Sequence, residues 1–300
     1  MNRPAASALA AWALVCNAFV WGVSWYPFRL LEADGLHPLW STFGIYVLAL
    51  TALLLWRPRC GLPFLQHPLL WLLLVAAGLT NVGFNWAVTV GDVVRVVLLF
   101  YLMPAWSVLL AWALLGEKPT RASLARLGLA LAGVAIVLKT PGSPWPVPAS
   151  LPDWLALLGG LSFALTNVLL RRLRDTPDDA RMLAMFGGGA LLALATALLG
   201  QPSSLVYPPP APAVGWLGLV LLTSLAFLAA NLGLQYGAAR LPAATTALVM
   251  LTEVVFASVS SVLMGAAQLE ARTLLGGALI LLAAVWAAWP EKTGSGASPH

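Results

Sequence analysis

The chain of 300 residues is 60% hydrophobic and 9% charged, with a mean hydropathy of +0.88. Soluble domains carry about 25% charged residues, so a soluble fold is excluded. The net charge of +5 would suggest a nucleic-acid partner in a soluble protein, but here the placement of the basic residues in loops accounts for it. The two cysteines, Cys16 inside an apolar run and Cys60 in a loop, imply neither a disulfide nor a metal framework.

Apolar runs of about 20 residues cross a bilayer as helices, and ten are predicted at roughly 8–30, 37–56, 69–90, 93–114, 122–138, 152–172, 181–200, 214–237, 242–264 and 271–289. The first follows only Arg3 and has no small-residue cleavage site, so it reads as a retained helix rather than a signal peptide. Asn17, Trp21, Ser24 and Trp25 fall down one side of it, the side expected to face the protein interior. The second run carries few polar groups. The third places Thr80, Asn81, Asn85 and Trp86 together, and side-chain amides in hydrocarbon are costly unless they face other helices or water.

The fourth run opens with Asp92 and Arg95, read as a locally paired surface charge, and continues through Tyr101, Pro104 and Trp106. Pro104 removes a backbone hydrogen bond and is expected to bend this helix, as a hinge or as a static kink. The sixth run contains Asn167. The seventh has a Gly187 to Gly189 stretch that allows close helix approach, and the eighth offers Ser224, Asn231, Gln235 and Tyr236 with a Gly233-x-x-x-Gly237 packing signal. Glu253 stands about halfway along the ninth. Proline-rich connections at 141–152 and 202–212 read as extended caps outside the bilayer. Residues 291–300 form a small polar tail that is expected to be disordered.

The segment from Asp92 to Leu138 recurs from Pro242 to Trp286, with Pro104 on Glu253, Gly116 on Gly265 and Gly128 on Gly277. A weaker register sets Trp12 on Trp154, Arg29 on Arg171 and Asn85 on Asn231. Two repeats follow, 1–140 and 150–290, each with five spans. Five is odd, so the second repeat enters from the opposite side, and the halves are expected to be related by a pseudo-twofold axis in the membrane plane. Of the 16 Lys and Arg residues, all but Arg29, Arg95, Lys139 and Arg272 fall in loops on the side of the N-terminus, which puts both termini in the cytoplasm.

Glu253 is the one acid deep in a predicted span. It reads either as a proton-coupling or ammonium-binding group, or as a neutral acid bridging helices. Asn17, Asn81, Asn85, Asn167 and Asn231, with Gln235, can both donate to a carboxylate and accept from an ammonium, or can simply bond helix to helix. Trp21, Trp25, Trp86, Tyr101 and Trp106 can stack on an apolar or aromatic group, whereas Trp12, Trp56, Trp71, Trp154 and Trp289 stand at span ends as interfacial belts. No phosphate-binding Gly-x-x-x-x-Gly-Lys-[Ser/Thr] segment occurs, and His37, His67 and His300 fall in loops or the tail. No cofactor, metal or enzymatic role is therefore expected.

The Trp21-Gly22-x-Ser24 segment, the elbow from Pro104 to Gly116-Glu117 followed by Gly128 and Gly133, and the weaker copy at Glu253 and Gly265 resemble the EamA-type drug/metabolite transporters over essentially the whole chain. Within them the sequence is most similar to the YddG-type aromatic amino acid exporters of bacterial inner membranes, with a departure at Ala266, where the first copy has Glu117. The resemblance implies an all-α basket of ten helices around a central cavity, alternating access, and export of amino acids, particularly aromatic ones, as small-molecule substrates from the cytoplasm across the bilayer; a monomer is expected, with the choice between monomer and dimer open. A multidrug or cationic-metabolite exporter is the alternative.

Overall fold

The computed structural model describes residues 3–61, 64, 66–116, 118–139, 147–173, 175–238, 240–241, 249–267 and 270–288. Glu117, Pro242, Trp289, the first part of the ninth expected span and the 291–300 tail lie outside them, as do the side chains of Pro104 and Gln235. Among the described residues the regular structure is entirely helical: α1 (Arg3–Val23), α2 (Trp25–Ala33), α3 (Pro38–Trp56), α4 (Leu69–Val90), α5 (Val93–Phe100), α6 (Met103–Leu115), α7 (Arg121–Leu138), α8 (Leu151–Arg172), α9 (Asp178–Gly200), α10 (Val214–Ala238), α11 (Thr252–Leu263) and α12 (Ala271–Ala288). A helix satisfies its backbone polar groups internally, which hydrocarbon requires. Eight stretches are long and apolar enough to cross a membrane, α1 with α2 and α5 with α6 each counting once, and α11 and α12 are shorter apolar helices. The chain is a multi-pass membrane protein. Leu55, Leu199 and Leu263 project outward at about 80% exposure, as lipid-facing side chains do, and the belt residues Trp12, Trp56, Trp71 and Trp154 are likewise exposed.

Three expected spans are interrupted. The first breaks at Ser24, whose amide bonds the Trp21 carbonyl at 3.2 Å while its hydroxyl donates to the same oxygen at 2.7 Å. A short hydroxyl side chain bonding back into its own helix competes with the regular ladder. The fourth breaks at Tyr101–Leu102. Pro104 has no amide to offer the Phe100 carbonyl; α5 ends at Phe100 and Pro104 becomes the second residue of α6. Glu253 stands not midway along a continuous helix but likewise at the second residue of α11, after a turn at Leu251. In the repeat alignment these are the same position. A helix start favours an acid there, because its unpaired amides carry partial positive charge.

The two elbows also match. Gly116 ends α6 with φ 71° and Gly265 follows α11 with φ 68°, the left-handed conformation in which helices commonly terminate and which glycine adopts without strain.

The most extensive packings each join a helix before residue 140 to one after 150: α4 with α8 and α9, α7 with α12, α3 with α9, and α1 with α10 and α11. α4 is the centre of the molecule, buried along most of its length. Its crossing with α9 is made at Gly78 and Gly188, where a side chain on Gly188 would meet the Leu74 carbonyl oxygen at 2.0 Å. This is the close approach expected from the Gly187–Gly189 stretch.

The start of α3 carries a titratable cap. His37 is buried edge-on between Trp86 and Tyr207, with ring centroids 5.1 Å from each. Its Nδ1 accepts from the Leu39 amide at 3.2 Å. Burial lowers its pKa from 6.5 to about 4. The neutral ring is thus the form the fold favours, and its contribution is fully present above pH 6.5 and is lost as pH falls toward 4. Between pH 7 and 5 the melting temperature of the purified protein is expected to fall more steeply than that of His37→Asn, which can cap but cannot titrate.

Candidate substrate cavity

A cavity of about 510 Å³ lies between α6, α7, α8, α12 and the Met250–Leu251 turn, within the usual range for small-molecule sites. Its walls are layered by the helices that build them. At the mouth, where α6 and α8 end and α7 begins, stand Lys118, Arg126 and Arg171. Thr120, which caps α7, and Ser123, which accepts from Arg126 at 3.0 Å, stand at the same end, and the amide of Asn167 lies one turn further in on α8. Asn167 and Arg171 are four residues apart on α8 and so share a face. Deeper walls are apolar, from Met103, Val108, Leu127, Ala130, Leu251 and Ile280, and Tyr101 reaches the deep end.

Tyr101 stands where α5 stops, 2% exposed, and its hydroxyl donates to Glu253 Oε2 at 3.0 Å. The Met250 carbonyl lies 3.3 Å from the same hydroxyl. The break ahead of α6 and the turn ahead of α11 thus bring the two interruptions of the repeat together. Glu253 itself is 8% exposed and does not line the cavity. Tyr101→Phe removes a donor from a buried acid and is expected to cost about 1–3 kcal/mol. In a Glu253→Leu background the same change is expected to cost much less, and unfolding of the four proteins in detergent measures the difference as a double-mutant cycle.

Of the residues singled out from the sequence, Tyr101 and Asn167 line this cavity. Most of the others join helices. Asn17 donates to the Ala230 carbonyl at 2.8 Å, Asn81 takes the Tyr46 hydroxyl at 2.5 Å and donates to Ala77, Asn85 donates to Thr42 Oγ1 at 3.2 Å, and Trp25 donates to Ser260 at 3.0 Å. Trp21 stacks on Phe227 with centroids 4.5 Å apart, and Trp86 lies against His37. Asn231 is partly buried on α10. Ser24 serves the break in the first span. The Oδ1 atoms of Asn17 and Asn85 and the Nε1 of Trp106 are buried with no partner among the described residues.

Arg95 corrects the expectation of a local pair with Asp92. Asp92 caps its own helix by accepting from the Arg95 amide at 2.8 Å. The guanidinium instead grips Asp153 of α8 through two bonds, at 2.7 and 2.9 Å, and donates to the Val137 carbonyl at 2.5 Å. Asp153 is 2% exposed and also accepts from the Ala149 amide at 3.0 Å. Nearby, Arg29 donates to the carbonyls of Thr89, at 3.1 Å, and Gly91, and lies 5.3 Å from the Trp25 ring centre. These contacts fall where α4, α7 and α2 end and α5 and α8 begin, opposite the cavity mouth. Arg95 and Arg29 thus tie these helix ends to one another.

The sequence reading missed Asp153 and the mouth residues Lys118, Arg126 and Arg171. The last three were visible as loop charges but were used only to orient the chain. Among the described residues no group of three His, Cys, Asp or Glu side chains could hold a metal ion.

A helical membrane protein with a cavity of this size among its helices has the build of a small-molecule transporter. Residues 8–139 and 150–289 each match the EamA-like transporter family, and the chain belongs to that family. It is a membrane transporter of the drug/metabolite superfamily. A solved crystal structure resembles it over 93% of this chain and 96% of that one, with a TM-score of 0.57 and 18% identity; at that identity the likeness bears on the fold alone. No curated protein matches the sequence.

Proposed function

We propose that the protein is a secondary transporter that exports amino acids, aromatic and other neutral ones, across the bacterial inner membrane, with the cavity beneath Lys118 and Arg171 as the cytoplasmic entry. The observation that carries this reading is the cavity itself: a largely apolar pocket of about 510 Å³ with the amide of Asn167 and the hydroxyls of Thr120 and Ser123 in its walls. It is large enough for an amino acid with an aromatic side chain.

The reading includes ten crossings as two inverted five-helix repeats, 1–140 and 150–290, with both termini in the cytoplasm. Exchanging the halves supports it. The packing of α4 on α8 has its counterpart in α10 on α1, α4 on α9 in α10 on α3, and α6 on α8 in α11 on α1. The paired left-handed glycines and paired helix starts at Pro104 and Glu253 agree. In alternating access between such halves, the Arg95–Asp153 pair is the contact that opens when the cavity turns outward. Asn17, Trp21, Asn85 and Glu253 then belong to the path exposed as the halves part, and the break before Pro104 serves as a hinge.

The test is uptake of labelled phenylalanine, threonine and a lipophilic cation into proteoliposomes of the purified protein, with and without a pH gradient. Saturable amino acid uptake is the expected result. Uptake of the cation alone would sink the assignment, and dependence on the gradient would assign Glu253 to proton coupling.

A further inference from the structure

We propose that three alanines of α7 and α12, Ala130, Ala283 and Ala284, set the size of the side chain that the transporter accepts, with the ring of an aromatic substrate lying against them. The proposal rests on the reading of the cavity as the amino acid route and deepens it. α7 and α12 pack side by side in opposite directions and are fastened to each other at three levels. At one end Arg272 Nη1 donates to the Lys139 carbonyl at 2.8 Å. Midway, a side chain on Gly133 would meet the Gly276 carbonyl oxygen at 2.6 Å, and one on Gly276 would meet the Gly133 oxygen at the same 2.6 Å. At the other end Arg126 Nη1 donates to the Trp286 carbonyl at 3.4 Å. Ala130 on α7, and Ala283 and Ala284 on α12, fall between the second level and the third.

All three alanines are buried, and all three line the cavity. Among the described lining residues α12 contributes only apolar side chains, Ile280 with the two alanines, while Ser107 and Asn167 stand on α6 and α8. This wall is therefore the place for the body of a substrate, and the polar groups of an amino acid belong to the other walls. Methyl groups give a ring a flat apolar surface to touch at little cost in space. The wall is also stiff. Where two helix backbones meet glycine on glycine there is no side chain to turn aside, and a close-packed interior does not deform smoothly. A larger residue in place of an alanine takes its volume from the cavity rather than from the spacing of the helices. The depth left by the alanines is what admits an aromatic ring.

The test is a size series of labelled L-alanine, L-threonine, L-phenylalanine and L-tryptophan, taken up by proteoliposomes of the whole chain and of Ala130→Leu, Ala283→Leu and Ala284→Leu. Ala132→Leu and Ala278→Leu, at exposed positions of the same two helices, are the controls. A fall of about tenfold or more in kcat/KM for phenylalanine relative to that for threonine in the cavity variants, with the controls at the wild-type ratio, supports the proposal. So does a matching loss of the ability of unlabelled phenylalanine to compete with threonine, which reports binding without requiring the larger substrate to cross. Where leucine abolishes all uptake, valine at the same position is scored by the same ratio. A ratio that stays at the wild-type value in the cavity variants, or that changes equally in the controls, overturns the proposal and leaves amino acid export standing. Uptake of no member of the series by the wild-type protein overturns both.

Discussion

Asp153→Ala is expected to destabilise the protein by about 3 kcal/mol or more, the largest effect of any single side-chain truncation proposed for it. The reason is what is left behind. Arg95 is 19% exposed and places two donors on Asp153 and a third on the Val137 carbonyl. Without the carboxylate the guanidinium keeps its charge, because arginine is not deprotonated in proteins, and loses two of its three bonded oxygens. Removing both partners is a different experiment: an Arg95→Met, Asp153→Leu double variant leaves no uncompensated charge and is expected to recover much of the lost stability. Thermal unfolding in detergent measures both. A double variant as unstable as Asp153→Ala would show that the pair is held by something other than its charge. The pair also ties α5 and α7 to the start of α8, so Asp153→Ala is expected to increase labelling of a cysteine placed at the buried Ala156, one turn further along α8, by a water-soluble thiol reagent.

Gly188→Leu is expected to cost more than about 3 kcal/mol and to leave little monodisperse protein after extraction. A Cβ at this position would stand 2.0 Å from the Leu74 carbonyl oxygen and 3.0 Å from the Gly78 amide nitrogen. Both are backbone atoms of α4, so relief requires α4 and α9 to separate rather than a side chain to turn. The same crossing holds α4 at the centre of the fold, so the strain reaches every helix packed on it. Gly215→Ala on α10 is the control: nothing lies within 4 Å of its Cβ, and it is expected to be neutral. Size-exclusion profiles and melting temperatures of the two variants provide the comparison.

The helices were legible because hydrocarbon demands long apolar runs, and the elbows because glycine at aligned positions marks a left-handed turn. The break before α6 was signalled by Pro104. The break at Ser24 was not, since a serine carries no such mark and the deciding bond is its own hydroxyl turning back on Trp21. The cavity was less legible still. Asparagines at helical spacing identify faces that avoid lipid, but the spacing is the same whether they meet a cavity or another helix. Asn81 meets Tyr46, and Asn17 meets the α10 backbone. Arg95 misled for a related reason: the nearest acid along the chain is Asp92, and the acid it binds lies 58 residues on.

The way the helices choose their partners has a bearing on how the chain is made. α1, α3, α4 and α7 find their main neighbours only among helices that follow residue 150. While the ribosome is still translating the second half, the first half therefore waits in the bilayer without its mates, its buried amides and glycine faces turned to lipid or to transient cover. Each half matches the family by itself, and the unit of assembly is the entire chain. A gene cut between residues 140 and 150 is accordingly expected to yield two fragments that are degraded when made singly and that survive when made together.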